Sequence, residues 1–141
     1  MSKRLYTLLG ASFLATVFAV AQAGRTIQVD IAYTGSGTVD SGHKIYVALW
    51  DSADFEGGPP VDIQSVESKT GTATFKNVQT VPAYVSAAYD PSGKWDAQSP
   101  PPTGSSLGMH GSKPPTPDPI NVEPGKTVKI KLTFDDSNKV P

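Results

Sequence analysis

"VKIKLTF", residues 128–134, decides the fold of this chain. Val128, Ile130, Leu132 and Phe134 recur at every second position, with Lys129, Lys131 and Thr133 between them. Successive side chains leave a pleated strand on opposite sides, so period two marks a β-strand with one dry face and one wet face. The outward lysines would also blunt an exposed sheet edge against stacking. Just upstream, Glu123-Pro124-Gly125-Lys126 is a type II turn in which proline presets φ and glycine supplies the positive φ of the third position.

The same alternation appears toward the N-terminus. Residues 26–33 place Ile27, Val29, Ile31 and Tyr33 on one face and Gln28 and Asp30 on the other, before Thr34-Gly35-Ser36-Gly37 breaks the run. Residues 44–51 carry Ile45, Val47 and Leu49 on one face and Tyr46, Ala48 and Trp50 on the opposite one. Residues 83–90 repeat that two-faced pattern, and both read as central strands covered on both sides. Residues 61–69 form a weaker strand whose alternation slips near Val66, the mark of a bulge or an edge. Residues 72–78 point Ala73 and Phe75 inward, and the chain recovers apolar character at Ile120-Asn121-Val122.

Two segments lack that rhythm. Residues 51–60 end in Gly57-Gly58-Pro59-Pro60, a strong breaker. Residues 91–119 hold eight prolines and almost no aliphatic side chain. Proline lacks the ladder donor, so no sheet runs through Pro100-Pro101-Pro102 or Pro114-Pro115. A connection this long is expected to be functional or mobile. Short strands at close spacing with no convincing helix predict an all-β, two-sheet antiparallel sandwich of about seven strands.

The first residues are a predicted signal peptide. Lys3 and Arg4 precede an uncharged, mostly apolar run over residues 5–20, and Ala21-Gln22-Ala23 supplies a small-x-small cleavage pattern. The polar members Tyr6, Thr7, Ser12 and Thr16 dilute the run, which barely reaches the ~20 residues of a membrane span. Cleavage after Ala23 leaves residues 24–141 as a single domain, periplasmic or extracellular, with no membrane insertion. The full chain has 12 basic and 13 acidic residues, and losing Lys3 and Arg4 makes the remainder more acidic. Nucleic acid is therefore not an expected partner. There is no cysteine, so no disulfide staples the fold and the core alone must hold it.

Four stretches occur in order: "KIYVALWDSADF" (44–55), "GTATFKNV" (71–78), "PAYVSAAYDPSGKWD" (82–96) and "VEPGKTVKIKLTF" (122–134). Together they resemble the secreted bacterial sandwiches related to carboxypeptidase regulatory-like and transthyretin-like domains. They are most similar to an exported branch with a "valfds…F" strand and a "Y…hDxNxNGxxD" loop. The resemblance implies an immunoglobulin-like or prealbumin-like sandwich and implies no activity. Transthyretin-like hydrolases use several histidines, an arginine and a Tyr-Arg-Gly-Ser motif. This sequence offers His43, His110 and Arg25 and lacks that motif.

Candidate sites are few. Asp90, Ser92 and Asp96 flank a glycine turn in Asp90-Pro91-Ser92-Gly93-Lys94-Trp95-Asp96. One reading is a tight turn in which Asp90 accepts local backbone N–H groups. The other is a calcium site, because that ion takes six to eight hard oxygens, although no closing glutamate follows. Asp51 and Asp54 would join Asp90 and Asp96 in a four-carboxylate cluster if their loops met at one end of the sandwich. Met109-His110 is a candidate copper pairing, although such a site needs a third ligand and nothing in the sequence places His43, the other histidine, near His110. Asp135-Asp136 reads as a solvated strand end, with a carboxylate pair as the functional alternative. Tyr46, Trp50, Tyr84 and Tyr89 are expected to pack on the sheets, whereas Trp95, in a loop, is a candidate ligand-binding ring or a cap folded over the sandwich end. No Ser-His-Asp arrangement or phosphate-binding glycine loop is present. The expectation is an exported, non-enzymatic module that binds a protein, peptide or glycan through the loops 51–60 and 91–119. The alternative is a divalent-cation protein using the 90–96 loop.

Overall fold

Alternation carries directly into the architecture. In the computed structural model, which describes residues 23–141, seven strands follow one another. They are β1 (Thr26–Tyr33), β2 (Ile45–Trp50), β3 (Asp62–Val66), β4 (Thr70–Phe75), β5 (Tyr84–Tyr89), β6 (Ser106–Met109) and β7 (Thr127–Phe134). Except for Ala23, the expected signal segment lies outside the described residues. Among the described residues no helix is long and apolar enough to cross a membrane.

The strands form a three-stranded sheet in the order β4-β1-β7 and a four-stranded sheet in the order β3-β2-β5-β6. Their inner faces close a single core. Ile27, Val29, Ile31 and Tyr33 from β1 meet Ile45, Val47 and Leu49 from β2, and Phe75, Val85, Ala87, Tyr89, Leu132 and Phe134 are among the other residues of that core. Chain contacts between β3 and β4 on one side, and β6 and β7 on the other, flank the two layers. β2 and β5 are central strands, as expected, but their outer faces are half-exposed: Tyr46, Ala48, Trp50, Tyr84 and Ser86 all retain solvent contact.

Three features differ from the sequence reading. First, β1 and β7 pair in parallel, from Thr26↔Thr127 to Tyr33↔Phe134, while every other strand pair is antiparallel. Side-chain alternation reports a strand's faces and carries no information about its direction. Second, the 91–119 tract contains a strand, β6, pairing with β5 from Tyr89↔Ser106 to Ser86↔Met109. Its prolines stay outside the ladder, as their missing N–H requires. Third, of the two expectations for the apolar slip at Val66 the edge holds, since β3 is the outer strand of its sheet, and the bulge does not. Register runs unbroken from Leu49↔Asp62 to Ile45↔Val66, and on this edge strand Val66 faces the core while Ile63 faces outward.

Antiparallel register also fixes which loops meet. Trp50 pairs with Tyr84 and Ile45 pairs with Tyr89, so the 51–61 loop after β2 and the 90–105 loop after β5 leave from opposite ends of the sheet. β6 then returns the chain, placing residues 110–119 at the same end as residues 51–61. The proline-rich tract is thus two loops at two ends.

Candidate functional site

The end of the sandwich carrying residues 90–105 also carries the β1–β2 loop and the turn between β3 and β4, as the register requires. A depression of about 260 Å³ opens there, lined by Ser41, Gly42, Lys44, Tyr46, Asp90, Gly93, Lys94, Trp95 and Asp96. Its form follows from one carboxylate. Asp90 is only 6 % exposed at the end of β5. It accepts from the Ser92 N–H at 2.9 Å, the Ser92 hydroxyl at 2.6 Å and the Trp95 N–H at 3.0 Å. Burial pushes the Asp90 pKa up, but donation by the Ser92 hydroxyl and by the Ser92, Trp95 and Lys94 backbone outweighs it, so the group titrates below the usual carboxylate range. Asp90 therefore organises a turn, its carbonyl also accepting from the Gly93 N–H at 3.2 Å.

Gly93 is where the turn meets its neighbour. Its φ is +70°, and a Cβ built there would lie 2.5 Å from the Gly42 carbonyl and 2.9 Å from the His43 ring. Gly93→Ala is expected to cost about 2 kcal/mol, from left-handed strain and the forced retreat of the 40–43 turn. Thermal unfolding monitored by circular dichroism checks this; a melting temperature unchanged from the natural chain would contradict the close approach.

The depression presents two aromatic rings and a polar rim. Trp95 stands edge-on to Tyr46, with ring centroids 5.1 Å apart, and its indole N–H donates to the Ser99 carbonyl at 2.8 Å. Trp95 remains half-exposed and lies over the outer face of the sheet, so it does not cap the sandwich end. Lys44 reaches Glu67 at 3.5 Å, while Lys94, Asp96 and Ser41 are exposed. Tyr46 and the two lysines belong to the site although the sequence marked Tyr46 only as sheet packing.

The other candidates are placed apart. Ser92 is spent on Asp90, and Asp96 accepts from the Gln98 N–H at 3.0 Å. A cation seated on Asp90 would have to displace the Ser92 and Trp95 donors. Asp51 and Asp54 lie at the far end of β2, so the four-carboxylate cluster does not assemble. Asp54 instead accepts from the Glu56 N–H within its own loop. His43 and His110 sit at opposite ends of the four-stranded sheet, so His43 does not supply the third ligand that a copper site at Met109-His110 would need. Among the described residues, no group of three or more His, Asp or Glu side chains could hold a metal ion. His43 Nδ1 lies 2.9 Å from Asp40 Oδ1, and the far side of its ring abuts Gly93.

Asp135 and Asp136 differ sharply. Asp135 is exposed and accepts from the Ser137 N–H and hydroxyl. Asp136 is a partly buried hub that the sequence reading missed. It accepts from the Tyr33 hydroxyl at 2.5 Å, the Ser36 N–H at 2.9 Å, the Ser36 hydroxyl at 3.1 Å and the Ser106 hydroxyl at 2.7 Å. Tyr33 donation, followed by that of Ser36 and Ser106, holds the Asp136 carboxyl far below the usual range. Burial and the Asp136 bond push Tyr33 up to about 12. The hub ties the ends of β1 and β7, the β1–β2 loop and β6 together, and its role is structural.

No protein-family model, curated protein or solved structure matches this chain.

Proposed function

We propose that this protein is an exported, non-enzymatic β-sandwich that binds glycan segments in the depression beside Trp95. One observation carries this reading: a half-exposed indole, set against Tyr46 in a loop pinned by Asp90, borders a rim of Lys44, Lys94, Asp96 and Ser41. Sugars offer an apolar C–H face to an aromatic ring and hydroxyls to charged and hydroxyl side chains. A few polar groups converging beside aromatic surface suit that chemistry. The resemblance to carboxypeptidase regulatory-like and transthyretin-like sandwiches fits a rigid scaffold presenting such a site, and the apolar leader fits export.

Screening the chain on an immobilised oligosaccharide panel, then titrating positive probes by isothermal titration calorimetry, tests the proposal. Trp95→Ala is expected to weaken binding at least about tenfold, equivalent to ~1.4 kcal/mol. Trp50→Ala, at the opposite end of β2, is expected to leave affinity unchanged. Absence of binding across the panel, or equal affinity for Trp95→Ala and the natural chain, would overturn the reading.

A further inference from the structure

The depression beside Trp95 is too small to enclose a whole ligand. Its volume of about 260 Å³ falls below the ~300–1,000 Å³ of pockets that swallow a small molecule. What binds there continues outside it, and the lining residue Tyr46 points the way, because it belongs to the outer face of the four-stranded sheet. Period two puts Tyr46, Ala48 and Trp50 on that face of β2, and the register sets Ala88, Ser86 and Tyr84 beside them on β5. None of the six carries a charge. The outer face of the three-stranded sheet has the opposite character, with Asp30 of β1 beside Lys131 of β7 and Lys129 exposed two residues before it.

Aromatic surface stands at both ends of this uncharged strip. Tyr46 and Trp50 are four residues apart, or ~14 Å along the strand. Trp95 is set against Tyr46 and Phe55 against Trp50, each pair with ring centroids 5.1 Å apart, and all four rings are half-exposed. Between them lie the small side chains of Ala48 and Ser86, paired across the strands. The Ser86 hydroxyl accepts from the Trp50 indole N–H at 2.9 Å and so fixes that ring. A second folded protein is a poor occupant. Four strands ~4.8 Å apart and ~14 Å of length give roughly 200 Å², against the ~800 Å² per partner of a stable interface. An anionic chain is a poor occupant too, since its charges would lie on the strip without a counter-charge.

We propose that the ligand is a linear, uncharged polysaccharide that leaves the depression and runs along β2, from Trp95 and Tyr46 to Trp50 and Phe55. This rests on the glycan reading of the depression and adds the length and charge of the chain. Sugar C–H faces cover the rings at each end, and the small residues between leave the path open. Once one end is seated, contact at the other is intramolecular, so the two reinforce each other. A disaccharide occupies the depression alone and does not reach Trp50; a chain of six sugars reaches both ends.

Calorimetric titration with cellobiose and cellohexaose, chitobiose and chitohexaose, and mannobiose and mannohexaose tests the proposal. In each series that binds, the hexamer is expected to bind at least about tenfold more tightly than the dimer. In Trp50→Ala that gain should fall to about threefold or less, the level that overlapping registers on one site provide. Phe55→Ala, in an exposed loop, removes the ring set against Trp50 and should cut the gain at least about threefold, which keeps the test decisive if Trp50→Ala does not fold. Hexagalacturonate should show no such gain over digalacturonate. Equal affinity of dimer and hexamer, a full gain surviving in the folded variants, or an equal gain for galacturonate would overturn the extended track and leave the glycan reading of the depression standing. Binding by none of the six neutral chains would overturn the track as well, and the depression's own reading is then decided by the wider oligosaccharide panel.

Discussion

Asp136→Ala should lower the unfolding free energy by about 4 kcal/mol, because it leaves the donors of Tyr33, Ser36 and Ser106 without their shared acceptor. That is a large fraction of the roughly 5–15 kcal/mol that stabilises a domain of this kind, and no disulfide makes up the loss. A urea melt reads the effect as a lower midpoint. Asp136→Asn keeps one acceptor oxygen and should fall between the two. The same hub sets the response to pH. A carboxyl held below its unfolded value contributes fully above about pH 4, the ordinary carboxylate range, and loses that contribution as pH falls further. Tyr33 works in the opposite direction: its raised pKa contributes below pH ~10 and is lost as pH rises toward about 12. Urea melts between pH 7 and 2 should show a shallower acid decline for Asp136→Asn than for the natural chain. Parallel declines would remove Asp136 as the cause.

Asp90→Ala is expected to cost about 3 kcal/mol and to abolish the proposed glycan binding beside Trp95. The substitution strands the Ser92 and Trp95 N–H groups and the Ser92 hydroxyl, which the structure directs at one buried carboxylate. Once the turn loosens, Trp95 loses its fixed position against Tyr46. Denaturant melts measure the first effect and fluorescence titration with the positive oligosaccharide probes the second. Stability within 0.5 kcal/mol of the natural chain, roughly the level of an ordinary surface substitution, would show that these bonds do not pin the loop.

Local chemistry made some elements legible from sequence and left others dark. β1 was readable residue for residue because Ile27, Val29, Ile31 and Tyr33 alternate with polar or small neighbours. β7 was readable for the same reason. β6 gave no such signal: its inward positions are Ser106 and Gly108, and a Cβ at 108 would stand 2.5 Å from the Phe134 Cβ. The inward face is small because Phe134 already fills the space, so the usual apolar rhythm is absent. The strand expected to run to Val78 ends at Phe75, since Asn77 takes a positive φ and turns the chain. Asp90 could be read as a turn former because its partners lie within five residues. Asp136 could not, because Tyr33 and Ser36 reach it from about a hundred residues away. Of the loops drawn together in the sequence reading, residues 90–105 separate from 51–60 while 110–119 join them, because strand direction, invisible in alternation, decides which connections share an end.

Pairing the earliest strand with the latest delays closure. β1 sits at the middle of its sheet, and one of its two neighbours is β7, matched to it along its whole length. Until β7 has been synthesised, that side of β1 has no ladder partner, and the β1 core face lacks its flanking neighbours Ile130 and Leu132. Rich in distant pairings and poor in local ones, the polypeptide should acquire its shape in milliseconds to seconds, as sandwiches of high contact order do. A nascent chain of this design leaves one flank of its central strand unzipped until the seventh strand has been made.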